Sequence, residues 1–176
     1  GGVRGSLGLT TVGTSTIFGA ISGSSPATVA AIGQIMFKPL RDAGYDDKFS
    51  VGVLTSSGAI AIVIPPSIAM ILYGTAAEEN VALLFAAGVL PGLLIAAMMG
   101  VYIYAYAYRR GIRERSAFDM AVFLRATKDG IWALGMPFII LGGIYAGVFS
   151  PTEAAGVSCV YAIVVTKFIY RDITWK

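Results

Sequence analysis

"ISGSSPATVAAIG", Ile21–Gly33, carries three serines, a threonine, two glycines and a proline. It lies inside a run from Gly5 to Phe37 that has no charged residue. Residues of this kind interrupt helices, yet the run around them is apolar enough to enter a bilayer. Apolar residues make up 56% of the chain and charged residues 13%, and the mean hydropathy is +0.76, outside the range of soluble globular domains. Further uncharged runs cover Phe49–Ala77, Asn80–Tyr108 and Gly130–Thr152, with a shorter one over Ala154–Thr166. A hydrocarbon core of ~30 Å needs about 20 apolar residues in a helix. A soluble bundle would show polar faces at helical period, and these runs lack them. The chain therefore reads as an all-α polytopic membrane protein.

Charge placement gives the topology, because Arg and Lys near the ends of spans stay in the cytoplasm. The richest cluster is Arg109, Arg110, Arg113, Arg115, Arg125 and Lys128, which puts that loop inside. The Glu78-Glu79 loop has no basic residue and falls outside. Lys38, Arg41 and Lys48 fall inside, the turn at Ser150–Glu153 outside, and Lys167, Arg171 and Lys176 inside again. The first run is then flanked by Arg4 and Lys38, both cytoplasmic, so it enters and leaves by one face. Its arms, Ser6–Ile21 and Pro26–Phe37, are each too short to cross. A re-entrant helical hairpin satisfies both facts, and non-helical backbone at its tip must be enclosed by protein or line a wet cavity.

The expected organisation is a re-entrant hairpin and cytoplasmic connector over 1–48, then a broken transmembrane helix over 49–77. A transmembrane helix follows over 78–108, a basic cytoplasmic loop or surface helix over 109–129, and two transmembrane segments over 130–176. The chain lacks an initiator Met and stops at "DITWK" just after an apolar stretch, which reads as a piece of a longer membrane protein. Cys159 is the single cysteine, so an intrachain disulfide and a cysteine-based metal site are excluded. The net charge of +3 is distributed between apolar runs and not on one face. The partner it implies is the lipid bilayer, not nucleic acid.

At Ser22-Gly23-Ser24-Ser25-Pro26 one helix ends and another begins. Ser25 followed by Pro26 reads as an N-cap and first helical residue. The second arm then aims its positive end and free amides at the tip, where a carboxylate can be held. The last carbonyls of the first arm, with nearby hydroxyls, offer oxygen ligands to a small cation. Broken helices arranged this way mark the midplane sites of secondary transporters. A second reading stays open, in which Gly19 and Gly23 form a GxxxG pair and the small residues serve only close packing. "TSSGAIAIVIPPS", Thr55–Ser67, adds a second interruption, with Ser56-Ser57-Gly58 followed by Pro65-Pro66. Prolines alone make kinks. Two successive hydroxyl-rich, uncharged interruptions favour an ion-coupled site.

Three stretches now carry a family resemblance: "GAISGSSPATVAAIG" at Gly19–Gly33, "IPPSIAMILYG" at Ile64–Gly74 and "GGIYAGVFSPTEAA" at Gly142–Ala155. In this order they resemble the large permease subunit of TRAP (tripartite ATP-independent periplasmic) transporters, the DctM type, over the whole chain. The resemblance implies an inverted-repeat elevator transporter in the bacterial inner membrane, coupled to sodium ions and using no cofactor. It imports organic acids such as dicarboxylates or sialic acid, delivered by a periplasmic binding protein of the DctP type, beside a small membrane subunit of the DctQ type. It assigns sodium-site roles to Ser22, Gly23, Ser24 and Ser25 at the tip and to Ser57 and Gly58 at the break. Thr28, Pro65, Pro66 and Ser67 fall along the substrate path. Ala61 stands where many members of that family have Gly, which implies less unwinding here. The segment would hold the first hairpin and broken helix and the start of the second repeat.

Other charged and aromatic residues have simpler readings. Ser150 and Glu153 fit a capping box with Pro151 at the first helical position, against an ion relay through an intramembrane carboxylate. Tyr102, Tyr104, Tyr106 and Tyr108 read as an interfacial belt spread around a helix. Competing functions are another ion-coupled carboxylate carrier with broken helices and, from a different class, a passive structural membrane subunit. An intramembrane hydrolase has no His for a Ser–His pair, and its aspartates lie at loop edges. The phosphate-binding GxxxxGK[ST] loop is absent too. No enzyme activity is expected.

Overall fold

The structure is a computed structural model and describes residues 4–112 and 120–170. Two compact units divide the chain, Gly1–Phe118 and Asp119–Lys176.

In the first unit, α1 (Ser6–Ser22) and α2 (Ser25–Asp42) form a helical hairpin. They are followed by α3 (Asp47–Val63) and α4 (Ile68–Ala76), then the 30-residue α5 (Val81–Arg110). Helix α1 stops because Gly23 takes a left-handed conformation, φ 61°, and its amide closes on the Gly19 carbonyl at 2.8 Å. This is the usual glycine C-terminus of a helix. Helix α2 outruns the uncharged arm, passing through Pro39 to Asp42. Helix α3 starts at Asp46, whose carboxylate accepts from the Phe49 amide at 2.7 Å. It ends before the Pro-Pro pair, where proline removes donors and displaces the preceding turn. Asn80 caps α5 by accepting from the Ala82 and Leu83 amides.

Helix α3 is the hub of this unit, packed on α1, α2 and α5. Val12, Ile32, Phe49, Leu54, Ile60 and Ile103 form its core. Each such side chain stabilises the unit by roughly 1.5–3 kcal/mol where the alternative is water. Within the membrane the contribution comes from packing of side chains and close backbones. At the α3 start, Tyr106 donates to Asp46 at 2.6 Å, and its ring stacks on Phe49 at 3.7 Å between centroids. The Tyr106 hydroxyl and then the Phe49 amide hold the Asp46 carboxyl below the ordinary carboxylate range. Tyr102 also stacks on Phe49, so the tyrosines do not form an even belt. Tyr102 and Tyr106, one helical turn apart, both meet α3, because residues at i and i+4 share a face.

The second unit pairs α6 (Met120–Tyr145) with α7 (Pro151–Val164), which continues as a π-helical stretch, Val165–Tyr170. Ser150 accepts from the Glu153 amide and Glu153 accepts from the Ser150 amide, forming the capping box. Tyr161 and Tyr170 donate to the carbonyls of Trp132 and Asp129 and tie the two helices together. Residues 120–129 are not a separate surface helix. They are the opening turns of α6, because nothing between Met120 and Gly130 breaks the helix. Arg113, Arg115, Arg171, Lys176, Asp119 and Asp172 lie outside the described residues.

Among the described residues, α5 and the Pro151–Tyr170 stretch are each long and apolar enough to cross a membrane. Helices α3 and α4 form a third such segment, bent by 42° at the break. Helix α6, with Arg125, Lys128 and Asp129 in its first half, does not reach the same apolar content. The molecule is an all-helical membrane protein.

Candidate functional site

The two interruptions meet. At the hairpin tip the Ile68 amide donates to the Gly23 carbonyl at 3.2 Å, joining the tip backbone to the residue just past the α3–α4 break. A Cβ at position 23 would stand 2.8 Å from the Pro66 carbonyl oxygen and 3.3 Å from the Ile68 nitrogen. Only glycine allows both the left-handed turn and this approach. A second contact lies one step along the tip, where Gly58 of α3 faces Val29 and stands 3.4 Å, by its Cβ position, from the Ser25 carbonyl oxygen. A third is Gly19 of α1 against Ala61. The structure thus sets Gly23 against Pro66 and Gly58 against Ser25.

The tip is wired by its own hydroxyls. Thr28, fully buried, donates to the Ser24 carbonyl at 2.9 Å, and Ser22 Oγ lies 3.0 Å from Thr28 Oγ1. The Ser24 amide in turn donates to Ser22 Oγ at 3.3 Å. This wiring moves the start of α2. Ser24, not Ser25, is its N-cap, with extended backbone and no side-chain cap bond, and Pro26 sits at the second helical position. Thr28 explains the shift, since its amide and its hydroxyl both bond the Ser24 carbonyl and draw the first turn back by a residue. The earliest amides of α2 have no intrahelical partner, so the positive end of the helix faces the tip.

The second interruption is shorter than its sequence suggests. Ser56, Ser57 and Gly58 lie within continuous helix, and α3 breaks only over residues 64–67. Tertiary contacts hold this stretch helical. Ser57, fully buried, donates to Ser15 Oγ at 3.1 Å and lies 3.2 Å from the Leu54 carbonyl. The hydrogen of Gly58 makes room for Val29. Gly would weaken the helix at position 61, and Ala61 does not. At the true break Pro65 is buried, the Pro65–Pro66 peptide is cis, and buried Ser67 donates to the Ile62 carbonyl at 2.6 Å. Ser67 thereby satisfies one of the carbonyls that the end of α3 leaves open.

Two parts of this arrangement have no counterpart in the sequence reading. Ser15 is the buried partner of Ser57. Gly88 and Gly92 of α5 press on Val63 and Ile64, at the edge of the break. Their four-residue spacing is a small-xxx-small signal of close helix packing.

A hairpin tip and a helix break, locked backbone to backbone within an all-helical membrane protein, define a membrane permease class whose sites are built from discontinuous helices. The family model of the tripartite ATP-independent periplasmic transporter, DctM component, matches residues 1–176, and the chain belongs to that family. It is 42% identical over 174 residues to the ectoine/5-hydroxyectoine TRAP transporter large permease protein UehC of Ruegeria pomeroyi, covering 99% of this chain and 41% of that protein. It is 42% identical over 173 residues to the C4-dicarboxylate TRAP transporter large permease protein DctM of Pseudomonas aeruginosa, covering 98% and 40%. It is 40% identical over 176 residues to the sialic acid TRAP transporter permease protein SiaT of Haemophilus influenzae, covering 100% and 29%. The chain spans about two fifths of the length of the first two. These relatives are permease proteins of transporters, not enzymes.

Proposed function

We propose that this chain forms the first half-site of a sodium-coupled TRAP permease that imports small organic acids across the bacterial inner membrane. The observation that carries the reading is the Ile68–Gly23 backbone bond, which joins two discontinuous segments at one point. There α2 presents its positive end, suited to a carboxylate. The half-buried hydroxyls of Ser22, Ser24 and Ser25, with the backbone of Gly23, present oxygen to a sodium ion, and Gly58 borders them. Ser57 supports that set from α3 through Ser15. Thr28, Pro65, Pro66 and Ser67 line the path of the organic acid. The relatives are named for C4-dicarboxylate, sialic acid and ectoine, all small polar solutes, and cargo of that kind is the class we assign. A small membrane subunit of the DctQ type and a periplasmic binding protein of the DctP type complete the transporter, which crosses the membrane several times and moves its site as an elevator.

The test is uptake by the intact transporter in proteoliposomes supplied with its binding protein. Uptake is expected to need an inward sodium gradient, and undiminished uptake with potassium in place of sodium would overturn the coupling. Exchanging Ser24 and Ser25 together for Ala is expected to raise the sodium concentration needed for half-maximal uptake by about tenfold, as expected for ~1.4 kcal/mol of lost ion binding. Unchanged sodium dependence would leave the tip with a packing role only.

A further inference from the structure

Away from the hairpin tip, the first turns of α3 and the middle turns of α5 part and leave a groove of about 400 Å³. Lys48, Gly52 and Val53 line one side, and Met98, Met99 and Tyr102 the other. Hydrocarbon dominates the walls, and the single charge is the Lys48 ammonium at one end. The neighbouring Lys38, Arg41 and Arg110 each pair with an aspartate. Lys48, which is exposed, makes no ion pair among the described residues. From Lys48 to Ser56, the limits of the α3 wall, the helix rises ~12 Å. That direction leads from the cytoplasmic end of the bent span toward its middle. The floor is open by design of the residue type: a Cβ at Gly52 would meet nothing within 4 Å. At the charged end the Phe49 and Tyr102 rings stack, 6.1 Å between centroids, as aromatic residues do at headgroup depth.

We propose that this groove is a binding site for one anionic phospholipid of the surrounding bilayer. Its phosphate sits on Lys48 and one acyl chain runs over Gly52 toward Ser56 and Met98. The charge decides between occupants. An apolar segment of polypeptide would match the hydrocarbon walls but not the one charge in the lining, whereas a lipid phosphate complements the Lys48 ammonium, whose own electrostatic partner, Asp46, lies outside the groove. The α5 wall is open to the outside: Met98 is 65% exposed and Tyr102 62%. The site is separate from the hairpin tip and does not depend on sodium coupling.

The experiment uses the intact transporter in liposomes containing photoactivatable phosphatidylglycerol or, in parallel, photoactivatable phosphatidylcholine. Peptides are mapped after illumination. Labelling of residues 48–56 and 98–103 is expected to favour phosphatidylglycerol by about fivefold, the attraction that one basic side chain gives an anionic surface lipid. Residues 89–95 of α5, which present Leu90, Leu93 and Leu94, report bulk lipid and are expected to show no preference. Lys48→Gln is expected to remove the preference and keep the labelling. Gly52→Leu, whose Cβ would have no protein atom within 4 Å, puts its side chain over the floor and is expected to remove the labelling of 48–56. Equal labelling by the two lipids at the groove would make it ordinary lipid contact and overturn the proposal. No labelling there, with 89–95 labelled, would show that protein covers it and would overturn it equally.

Discussion

Gly23 and Gly33 belong to one hairpin and carry opposite expectations. Gly23 holds φ 61°, and a Cβ there would stand 2.8 Å from the Pro66 carbonyl oxygen. Gly33 lies inside α2 with nothing within 4 Å of its Cβ position. An L side chain in the left-handed region costs roughly 1–2 kcal/mol, and at Gly23 the obstructing atoms are backbone and cannot swing aside. At Gly33 the helix gains from the added methyl, by roughly 0.5–1 kcal/mol. Thermal unfolding of the purified permease is therefore expected to shift down for Gly23→Ala and slightly up for Gly33→Ala. Gly23→Ala is also expected to lose uptake, because it separates the tip from the break. The reverse order of midpoints would mean that the tip is not pinned to residue 68. At this scale the sequence exposes residue type but not neighbour. Gly23, Thr28 and Ser67 stand out as odd residues in an apolar run. Which carbonyl each one bonds follows from a fold that brings residues 23 and 68 together, and nothing local specifies that.

Helix α3 shows how an element is set by its ends and by its surroundings. Both ends are local and readable: aspartate at the cap, prolines at the break. Its middle is not, because Ser56-Ser57-Gly58 is a weak helical sequence that packing against Ser15 and Val29 holds in shape. Local propensity loses to tertiary contact there. Asp46 is the point where the α3 start is tied to α5, through the Tyr106 hydroxyl and, at 3.7 Å, the Arg110 guanidinium. Those contacts favour the carboxylate, so its folded-state pKa lies below the ordinary 3.8. A depressed carboxylate pKa contributes stability that is fully present above the unfolded value and fades as the pH falls through the folded one. The unfolding midpoint of the native protein is thus expected to fall between pH 5 and pH values below about 4. Asp46→Asn starts lower and is expected to fall by less over the same interval. Parallel curves for the two proteins would remove Asp46 as the tie.

At the scale of the molecule, charge placement and apolar length determine which ends of the helices share a side of the membrane. The bent pair α3–α4 and the long α5 each have the length and composition of a span. With both crossing, their ends are expected to alternate: the connector at Asp42 on one side, the Glu79 loop on the other, and Arg109 back on the first. The basic residues Lys38, Arg41, Lys48, Arg109 and Arg110 lead us to expect the cytoplasm on that first side. The class of fold is legible in the sequence for this reason, since the bilayer imposes a length rule that any uncharged run must meet. The meeting of tip and break is not legible, because it depends on helix packing, where small residues permit contact without naming the partner. The topology is open to a direct test. In a background cleared of cysteines, Cys159 included, single cysteines replace Asp42, Glu79 and Arg109, all three exposed. A membrane-impermeant maleimide applied to intact cells is expected to label position 79 and to reach 42 and 109 only after lysis. Labelling of 42 and 79 from the same side would mean that α3 and α4 do not cross as one bent span. The same-face entry of α1 and α2 would then lose its support, since it takes the cytoplasmic position of Asp42 as its anchor.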